Sequence, residues 1–293
     1  ANPSGAPCNV LSMLQKLGDK TAFIGKVGND GFGHLLTKAV QEQGIDTTGL
    51  VYDNDVHTTL ALVLKKENGD RDFAFYRNPG ADMNLKEEEV NESLIASSSI
   101  FHFGTLSLTD ESVKMATQKA VKAAKENGLT ITFDPNLREP LWRSLEEAHE
   151  QVAWGLQQAD VVKISDNEIT WFTGMDNYDE GIAFLQKEYP NLKLICLSMG
   201  GDGSKAVYRD IHVAYPAFLQ EATIETTGAG DTFCACMIHT VLENGIDHLD
   251  EEKLKEMLKF ANAAASLVTT KKGALRVMPT KEEVETFIEN FKR

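Results

Sequence analysis

Residues 225–231 read Glu225-Thr226-Thr227-Gly228-Ala229-Gly230-Asp231, and the apolar run Thr232–Leu242 that follows has helical character. Glycines directly before a helix let several backbone N–H groups point at one spot, where the helix dipole adds positive potential. The stretch therefore predicts an anion site formed by the backbone of Gly228, Ala229 and Gly230. Asp231 in the first helical turn is suited to accept a proton from an attacking hydroxyl group. Alternatively, the glycines form only a tight turn and Asp231 stabilises the helix start.

Upstream of this stretch, short apolar runs alternate with helical patterns. The candidate strands are 21–25, 99–103, 130–134, 160–164 and 193–198, and the helical patterns include 112–124, 145–156 and 254–268. Alternation of this kind predicts an α/β fold, with helices on both faces of a parallel sheet. Ligands of such folds bind at the carboxyl ends of the strands, and polar or glycine residues follow three of these candidates.

One segment interrupts the alternation. Residues 58–65 and 71–77 both have the pattern of strands, and Glu67-Asn68-Gly69-Asp70 between them is a typical hairpin turn. An antiparallel pair has no place in a βα repeat, so we predict a small β lid at approximately residues 1–5 and 52–80. The lid belongs to a single domain spanning residues 1–293. Its exposed strand edges favour pairing with a second lid, and hence a homodimer.

The composition excludes several classes of partner. Acidic residues outnumber basic ones by 44 to 29, for a net charge of −15, which disfavours binding to nucleic acid or to an anionic membrane surface. No apolar stretch is long enough to span a membrane, and no signal peptide is recognisable. The four cysteines form no Cys-x-x-Cys pair, which indicates buried free thiols and a cytoplasmic location.

Two common phosphate-binding motifs are absent from the sequence. There is no Gly-x-x-x-x-Gly-Lys-Ser/Thr stretch, so the chain is not a P-loop enzyme. Gly25, Gly28, Gly31 and Gly33 follow the first candidate strand with the wrong spacing for a dinucleotide-binding Gly-x-Gly-x-x-Gly motif. Dinucleotide chemistry is therefore not expected.

Three blocks of sequence resemble the ribokinase-like (phosphofructokinase-B) carbohydrate kinases, in the family's order. They are residues 225–231, the amino-terminal residues 5–10 with 23–33, and the carboxy-terminal residues 260–265 with 272–280. The resemblance implies a ribokinase-like α/β/α domain that phosphorylates a free sugar with ATP. Residues 75–83 and 133–142 are similar to fructokinases, the latter also to 2-keto-3-deoxygluconate kinases. Fructose is thus the expected acceptor and fructose 6-phosphate the expected product.

The resemblance also implies roles for individual positions. Asp231 is expected to be the general base, the amides of Gly228, Ala229 and Gly230 the anion hole, and Arg138 a contact of the transferring phosphate. Sugar contacts are expected from Asp231, Gly5, Asn9 and, reaching in from the lid, Arg77. Nucleotide contacts are expected from Ser165, Ser198, Gly200, Gly203 and Asn262. Glu168 is expected to hold hydrated Mg²⁺, and a monovalent cation such as K⁺ is expected near Glu225, Thr227, Val268, Lys271 and Gly273.

The sequence departs from the family pattern at several positions. Ser4 replaces a glycine of the sugar-binding motif, Ser165 replaces the usual Asn of Asn-x-x-Glu, and Glu225 replaces an Asp. The family's first strand, which carries a sugar-binding Asp, has no counterpart here, and we expect an upstream segment to supply it. Two alternatives remain open: a kinase for 2-keto-3-deoxygluconate or another sugar, and a sugar or nucleotide sensor without catalytic activity.

Overall fold

The computed structural model describes residues 2–65 and 71–291. The strands in this part of the chain are β1 (Ala22–Gly28), β2 (Asp46–Asp53), β3 (Leu60–Lys65), β4 (Arg71–Tyr76), β5 (Ile100–Gly104), β6 (Thr130–Asp134), β7 (Val161–Ser165), β8 (Leu194–Ser198), β9 (Ser204–Tyr208) and β10 (Ile211–Tyr215). The α-helices are α1 (Ala6–Lys16), α2 (Gly31–Glu42), α3 (Glu92–Ala96), α4 (Glu111–Glu126), α5 (Leu145–Gln158), α6 (Asp166–Thr173), α7 (Tyr178–Glu188), α8 (Ala229–Asn244), α9 (Glu251–Val268) and α10 (Lys281–Asn290).

Six strands form the main sheet in the order β10-β9-β8-β7-β6-β5. Strands β5 to β8 run parallel, whereas β9 and β10 extend one edge in antiparallel fashion. Strands β1 and β2 form a separate parallel pair. The predicted α/β fold with a largely parallel sheet is confirmed. Four of the five predicted strands lie in this sheet, whereas the predicted strand 21–25 overlaps β1 of the separate pair.

Helices cover both faces of the main sheet, as predicted. On one face α1, α8, α9 and α10 contribute to a core with Val161 and Leu194, and this core also contains Cys196, Cys234 and Cys236 as free thiols. On the other face α4 to α7 pack over Phe133 and Ile164. None of the helices in the described residues is long and apolar enough to cross a membrane.

The predicted hairpin is present as β3 and β4, paired antiparallel with Leu60 opposite Tyr76. Its predicted turn, 67–70, lies outside the described residues. In the described part of the chain β3 and β4 pair only with each other. Residues 2–5 form no strand and lead into α1, and their place in the lid remains a prediction. Leu62 and Tyr76 are 48% and 64% exposed on the lid.

Candidate active site

The predicted anion site lies at the start of α8. Gly228 precedes the helix with φ 85°, a conformation that favours glycine, and it caps the helix without a side chain. A Cβ atom on Gly228 would lie 2.9 Å from Cβ of Ala274, and one on Gly230 would lie 3.3 Å from Nζ of Lys163. The first N–H groups of a helix have no acceptor within it. The backbone of residues 228–230 is hereafter called the cradle. The N–H of Ala229 donates to the carbonyl of Thr226 at 3.2 Å, so the predicted anion site rests on the N–H groups of Gly228 and Gly230.

Asp231 follows the cradle directly and is bound by a residue from the opposite end of the chain. Nδ2 of Asn9, in α1, donates a hydrogen bond of 2.8 Å to Oδ2 of Asp231. Burial raises the pKa of Asp231, and the Asn9 hydrogen bond with the charges of Lys163 and Arg138 opposes that rise. The Asp231 carboxylate therefore lies next to the predicted anion site, and its raised pKa makes it better able to accept a proton than an ordinary aspartate.

Asn9 carries a second, unused hydrogen-bonding atom. Its side chain is 2% exposed, and Nδ2 also lies 3.4 Å from Oγ of Ser4. Oδ1 of Asn9 is buried and has no donor among the described residues. Buried polar atoms are nearly always paired, so this oxygen is an unsatisfied acceptor beside Asp231, and its contact with a sugar hydroxyl remains a prediction.

A buried ion pair that the sequence did not lead us to predict lies beneath the cradle. Nζ of Lys163, in β7, lies 3.3 Å from Oδ1 of Asp134 at the end of β6, and the two residues are 5% and 3% exposed. Burial raises the pKa of Asp134 to about 7, although Lys163 opposes this. The available signal was a lysine within the otherwise apolar run Val161–Ile164, since lysine is almost never buried without a partner.

The loop after β6 carries Arg138 and is held by hydrogen bonds to two carboxylates. Asn136 has φ 44°, and its N–H donates to Oδ1 of Asp134 at 3.2 Å. Oε1 of Glu168 accepts from the N–H of Leu137 at 2.8 Å. Arg138 is exposed, and its charge acts on Asp231. The predicted contact of Arg138 with the transferring phosphate remains a prediction.

Glu168 serves more than the predicted Mg²⁺ site. Its Oε2 accepts from the N–H of Ser165 at 2.8 Å, while Oγ of Ser165 accepts from the N–H of Glu168 at 3.4 Å, a reciprocal cap for α6. Ser165 thus caps a helix in the position where the family usually has Asn. The same carboxylate joins α6 to the Arg138 loop, and its contact with Mg²⁺ remains a prediction.

The predicted nucleotide residues lie at the same edge of the sheet. Ser165 and Ser198 end the adjacent strands β7 and β8 in register, and Gly200 and Gly203 have φ of 52° and 96° in the turn that follows. Asn262 of α9 accepts from Ser204 at 2.9 Å and donates to the carbonyls of residues 215 and 216 at 3.0 and 3.2 Å. Its amide ties α9 to the start of β9 and the end of β10, and a direct contact with the nucleotide remains a prediction.

The two segments predicted to hold a monovalent cation are brought together. The N–H groups of Ile224 and Glu225 both donate to the carbonyl of Thr269, at 2.8 and 3.0 Å. This places Glu225 and Thr227 beside the turn that contains Val268, Lys271 and Gly273. Nζ of Lys271 lies 3.5 Å from Glu283. An ammonium group has no lone pair for a cation, so Lys271 could contribute only its backbone carbonyl oxygen to the predicted site.

Arg77 occupies a different environment from the one predicted. It is 8% exposed, and its guanidinium donates to Asp82 at 2.7 Å, to Thr109 at 2.9 Å and to the carbonyl of Leu106 at 3.0 Å. Instead of reaching in from the lid as an open side chain, Arg77 fastens the base of the lid to the segment after β5. Its contact with the sugar remains a prediction.

Known proteins are similar to this chain over nearly its whole length. Residues 1–281 match the pfkB family of carbohydrate kinases. The chain belongs to this family. Fructokinase-1 of Zea mays is 41% identical over 287 residues, which are 98% of this chain and 88% of that protein. Two solved structures are similar over 98% of the chain. The Vibrio cholerae fructokinase with fructose, ADP and calcium has TM-score 0.88, 28% identity and 91% coverage of that chain. An E. coli protein described as a ribokinase II, with ATP and Mg²⁺, has TM-score 0.87, 28% identity and 89% coverage.

A pfkB family kinase requires places for ATP and Mg²⁺, and the residues present fit both. The cradle offers backbone donors to a phosphoryl group. In the described residues no group of three or more His, Cys, Asp or Glu side chains could hold a metal by itself. Mg²⁺ in kinases is usually bound by one or two carboxylates together with substrate phosphates and waters. Glu168, which is fixed against the Arg138 loop, is a carboxylate of that kind.

Proposed function

We propose that the chain is a fructokinase that converts fructose and ATP to fructose 6-phosphate and ADP. The observation that carries the proposal is the pair formed by Asp231 and Asn9, whose unpaired Oδ1 provides a sugar-hydroxyl acceptor beside the base. The similarity to a plant fructokinase and to a bacterial fructokinase bound to fructose and ADP supports fructose as the acceptor.

Asp231 acts as the general base in this reaction. Its carboxylate takes the proton of the primary hydroxyl, whose oxygen attacks the γ-phosphorus in line while the bond to the β-phosphate oxygen breaks and ADP leaves. The N–H groups of the cradle donate to the transferring phosphoryl group, and Arg138 adds a planar cation nearby. When bound, Mg²⁺ neutralises charge on the phosphates. Most of the catalysis thus comes from positioning and from charge stabilisation.

A sugar acid is a less suitable acceptor than fructose. A 2-keto-3-deoxygluconate kinase would use Arg77 and Arg138 to bind the substrate carboxylate. Arg77 is already committed to Asp82, Thr109 and the Leu106 carbonyl. Only the exposed Arg138 is then available of the two, which favours a neutral sugar. A sensor without catalytic activity would have no use for a base of raised pKa next to an anion cradle.

Three further features complete the proposal. A K⁺ ion bound between residues 225–227 and 268–273 would lie behind the cradle and add to the positive potential there. The exposed Leu62 and Tyr76 on the lid make it the surface on which a homodimer would form. Four buried free cysteines suit the reducing conditions of the cytoplasm, where we place the enzyme.

The proposal is tested by ADP release with Mg-ATP against a panel of acceptors, each with and without K⁺. The panel contains fructose, ribose, glucose, 2-keto-3-deoxygluconate and a nucleoside. We expect a strong response to fructose and little to the others. A larger response to another sugar would keep the mechanism and reject fructose, whereas ligand binding without turnover would favour the sensor.

A further inference from the structure

We propose that Lys163 is a positioning residue of this site that acts through Asp231. Held in place by Asp134, its buried ammonium group keeps the Asp231 carboxylate ionised and supports the cradle from below. The inference rests on the proposed function for its kinetic consequence, while its electrostatic part concerns the protein alone.

The position of Lys163 suits this role better than a role in packing. Val162 and Ile164, its neighbours in β7, are 0% exposed, and Lys163 itself is 5% exposed. Burying an ammonium group carries a desolvation penalty, which an apolar residue would avoid. Packing alone would therefore favour an aliphatic side chain. The position of Nζ, 3.3 Å from where a Cβ of Gly230 would lie, puts the charge directly against the residue before Asp231.

Lys163 is the buried cation in a cluster of mostly acidic groups. Its charge is felt by Asp134 on β6, Glu168 on α6, and Asp231 and Cys234 on α8, and by His102 on β5. Burial keeps the Cys234 thiol neutral by raising its pKa, and burial lowers the pKa of His102 to about 4. Three carboxylates thus share Lys163, and the other cation nearby, Arg138, is exposed to solvent. Exposed charges are screened more strongly than buried ones, so Lys163 has the greater effect on the ionisation of Asp231.

Asp134 fixes the position of the Lys163 ammonium group. Its Oδ1 lies 3.3 Å from Nζ, and the same oxygen accepts from the N–H of Asn136. One carboxylate therefore fixes both the ammonium group and the loop that carries Arg138. Removing Lys163 alone leaves Asp134 buried without a counter-ion, so the informative comparison is made in a background where Asp134 is already neutral.

The experiment measures the pKa of Asp231 by ¹³C NMR of labelled aspartate carboxyl groups, with the signal assigned from Asp231→Asn. The two proteins compared are Asp134→Asn and the double variant Asp134→Asn/Lys163→Met. The double variant lacks both charges of the ion pair, so neither is left buried without its partner. Loss of a nearby buried cation raises a carboxyl pKa by about one unit or more. We therefore expect Asp231 to titrate at least that much higher in the double variant.

Lys26→Met is the matched control. Lys26 is another buried lysine, 3.2 Å from Asp53, with side-chain exposures of 5% and 9% for the pair, and it belongs to the separate β1–β2 sheet. Its removal should leave the Asp231 pKa unchanged. Equal pKa values for Asp231 in the Asp134→Asn and double variants, with both cooperatively folded, would overturn the proposal, as would an equal rise in Lys26→Met.

The kinetic measurement separates a charge effect from structural damage. Because the ionised base is the active form, a higher pKa moves the acidic limb of the kcat/KM profile for fructose to higher pH. On that limb, kcat/KM of the double variant should be about tenfold lower for each pH unit by which the limb moves, and it should recover at alkaline pH. A uniform loss at all pH values contradicts the role. If the parent does not phosphorylate fructose but the pKa of Asp231 rises as expected, the proposed function fails and the electrostatic role of Lys163 stands.

Discussion

Asn9 donates from Nδ2 to Oδ2 of Asp231 over 2.8 Å, although the two residues are 222 positions apart in the sequence. The contact joins α1 to α8, which pack together in one core. It orients the base and leaves Oδ1 of Asn9 unpaired at the same place. The nitrogen of this amide therefore binds the proposed catalytic carboxylate, and we propose that its oxygen accepts a hydrogen bond from a sugar hydroxyl.

Replacing Asn9 by Ala should impair both functions of this side chain. A hydrogen bond to a charged group contributes about 1.5–3 kcal/mol, so we expect kcat/KM for fructose to fall by roughly 10- to 100-fold. Steady-state kinetics should show a higher KM for fructose and an unchanged KM for ATP. The control is Asn191→Ala, which removes an exposed amide that binds the carbonyls of Leu156 and Ala159. It should leave both KM values unchanged, and an equal effect of the two changes would argue against the role of Asn9.

The pH dependence of the parent enzyme follows from the raised pKa of Asp231. Burial is the main cause of that rise. The carboxylate is the active form, so kcat/KM for fructose should be constant above the raised pKa and should fall tenfold per pH unit below it. The inflection should lie above 3.8, the ordinary value for aspartate. An acidic limb at or below that value in a folded protein would contradict the environment described here.

Replacing Gly228 by Ala tests the cradle. A residue with Cβ is strained at φ 85°, by about 1–2 kcal/mol, and the new atom would meet Ala274 at 2.9 Å. We expect a loss of kcat of more than tenfold with a smaller change in the KM for fructose, measured by ADP release.

Gly128→Ala is the matched control for this strain. Gly128 has φ 73° and an added Cβ would have no atom within 4 Å, and it lies between α4 and β6 at the end of the sheet opposite the site. It should lower the melting temperature to a similar degree without affecting kcat. A comparable loss of kcat in both variants would mean that the cradle has no special role.

The fold and the centre of the site could be predicted because their signals are local. Gly228 to Asp231 are contiguous, and the alternation of apolar runs with helical patterns fixes the sheet and its two helical layers. Strands β2, β9 and β10 were missed. The last two form a short antiparallel hairpin after β8, which does not fit the βα alternation of the preceding segments.

The rest of the site depends on contacts between distant parts of the chain. Lys163 and Asp134 are 29 positions apart in the sequence and meet because their strands, β7 and β6, are neighbours in the sheet. No spacing rule in the sequence connects the two residues. The same is true of Arg77, whose partners Thr109 and Leu106 lie on a later segment. Its motif predicts a contact with the sugar, which remains a prediction, whereas nothing in the motif indicated that the guanidinium also fastens the lid.

The most direct test of the mechanism compares ADP release from Mg-ATP and fructose by the parent and by Asp231→Asn. Asparagine keeps the shape of the side chain and an acceptor for Asn9, but it cannot take a proton at neutral pH. Turnover should fall by at least about a hundredfold. Fructose binding, followed by calorimetry, should stay within a few-fold of the parent. Turnover within a few-fold of the parent, in a variant that binds fructose normally, would contradict the assignment of Asp231 as the base.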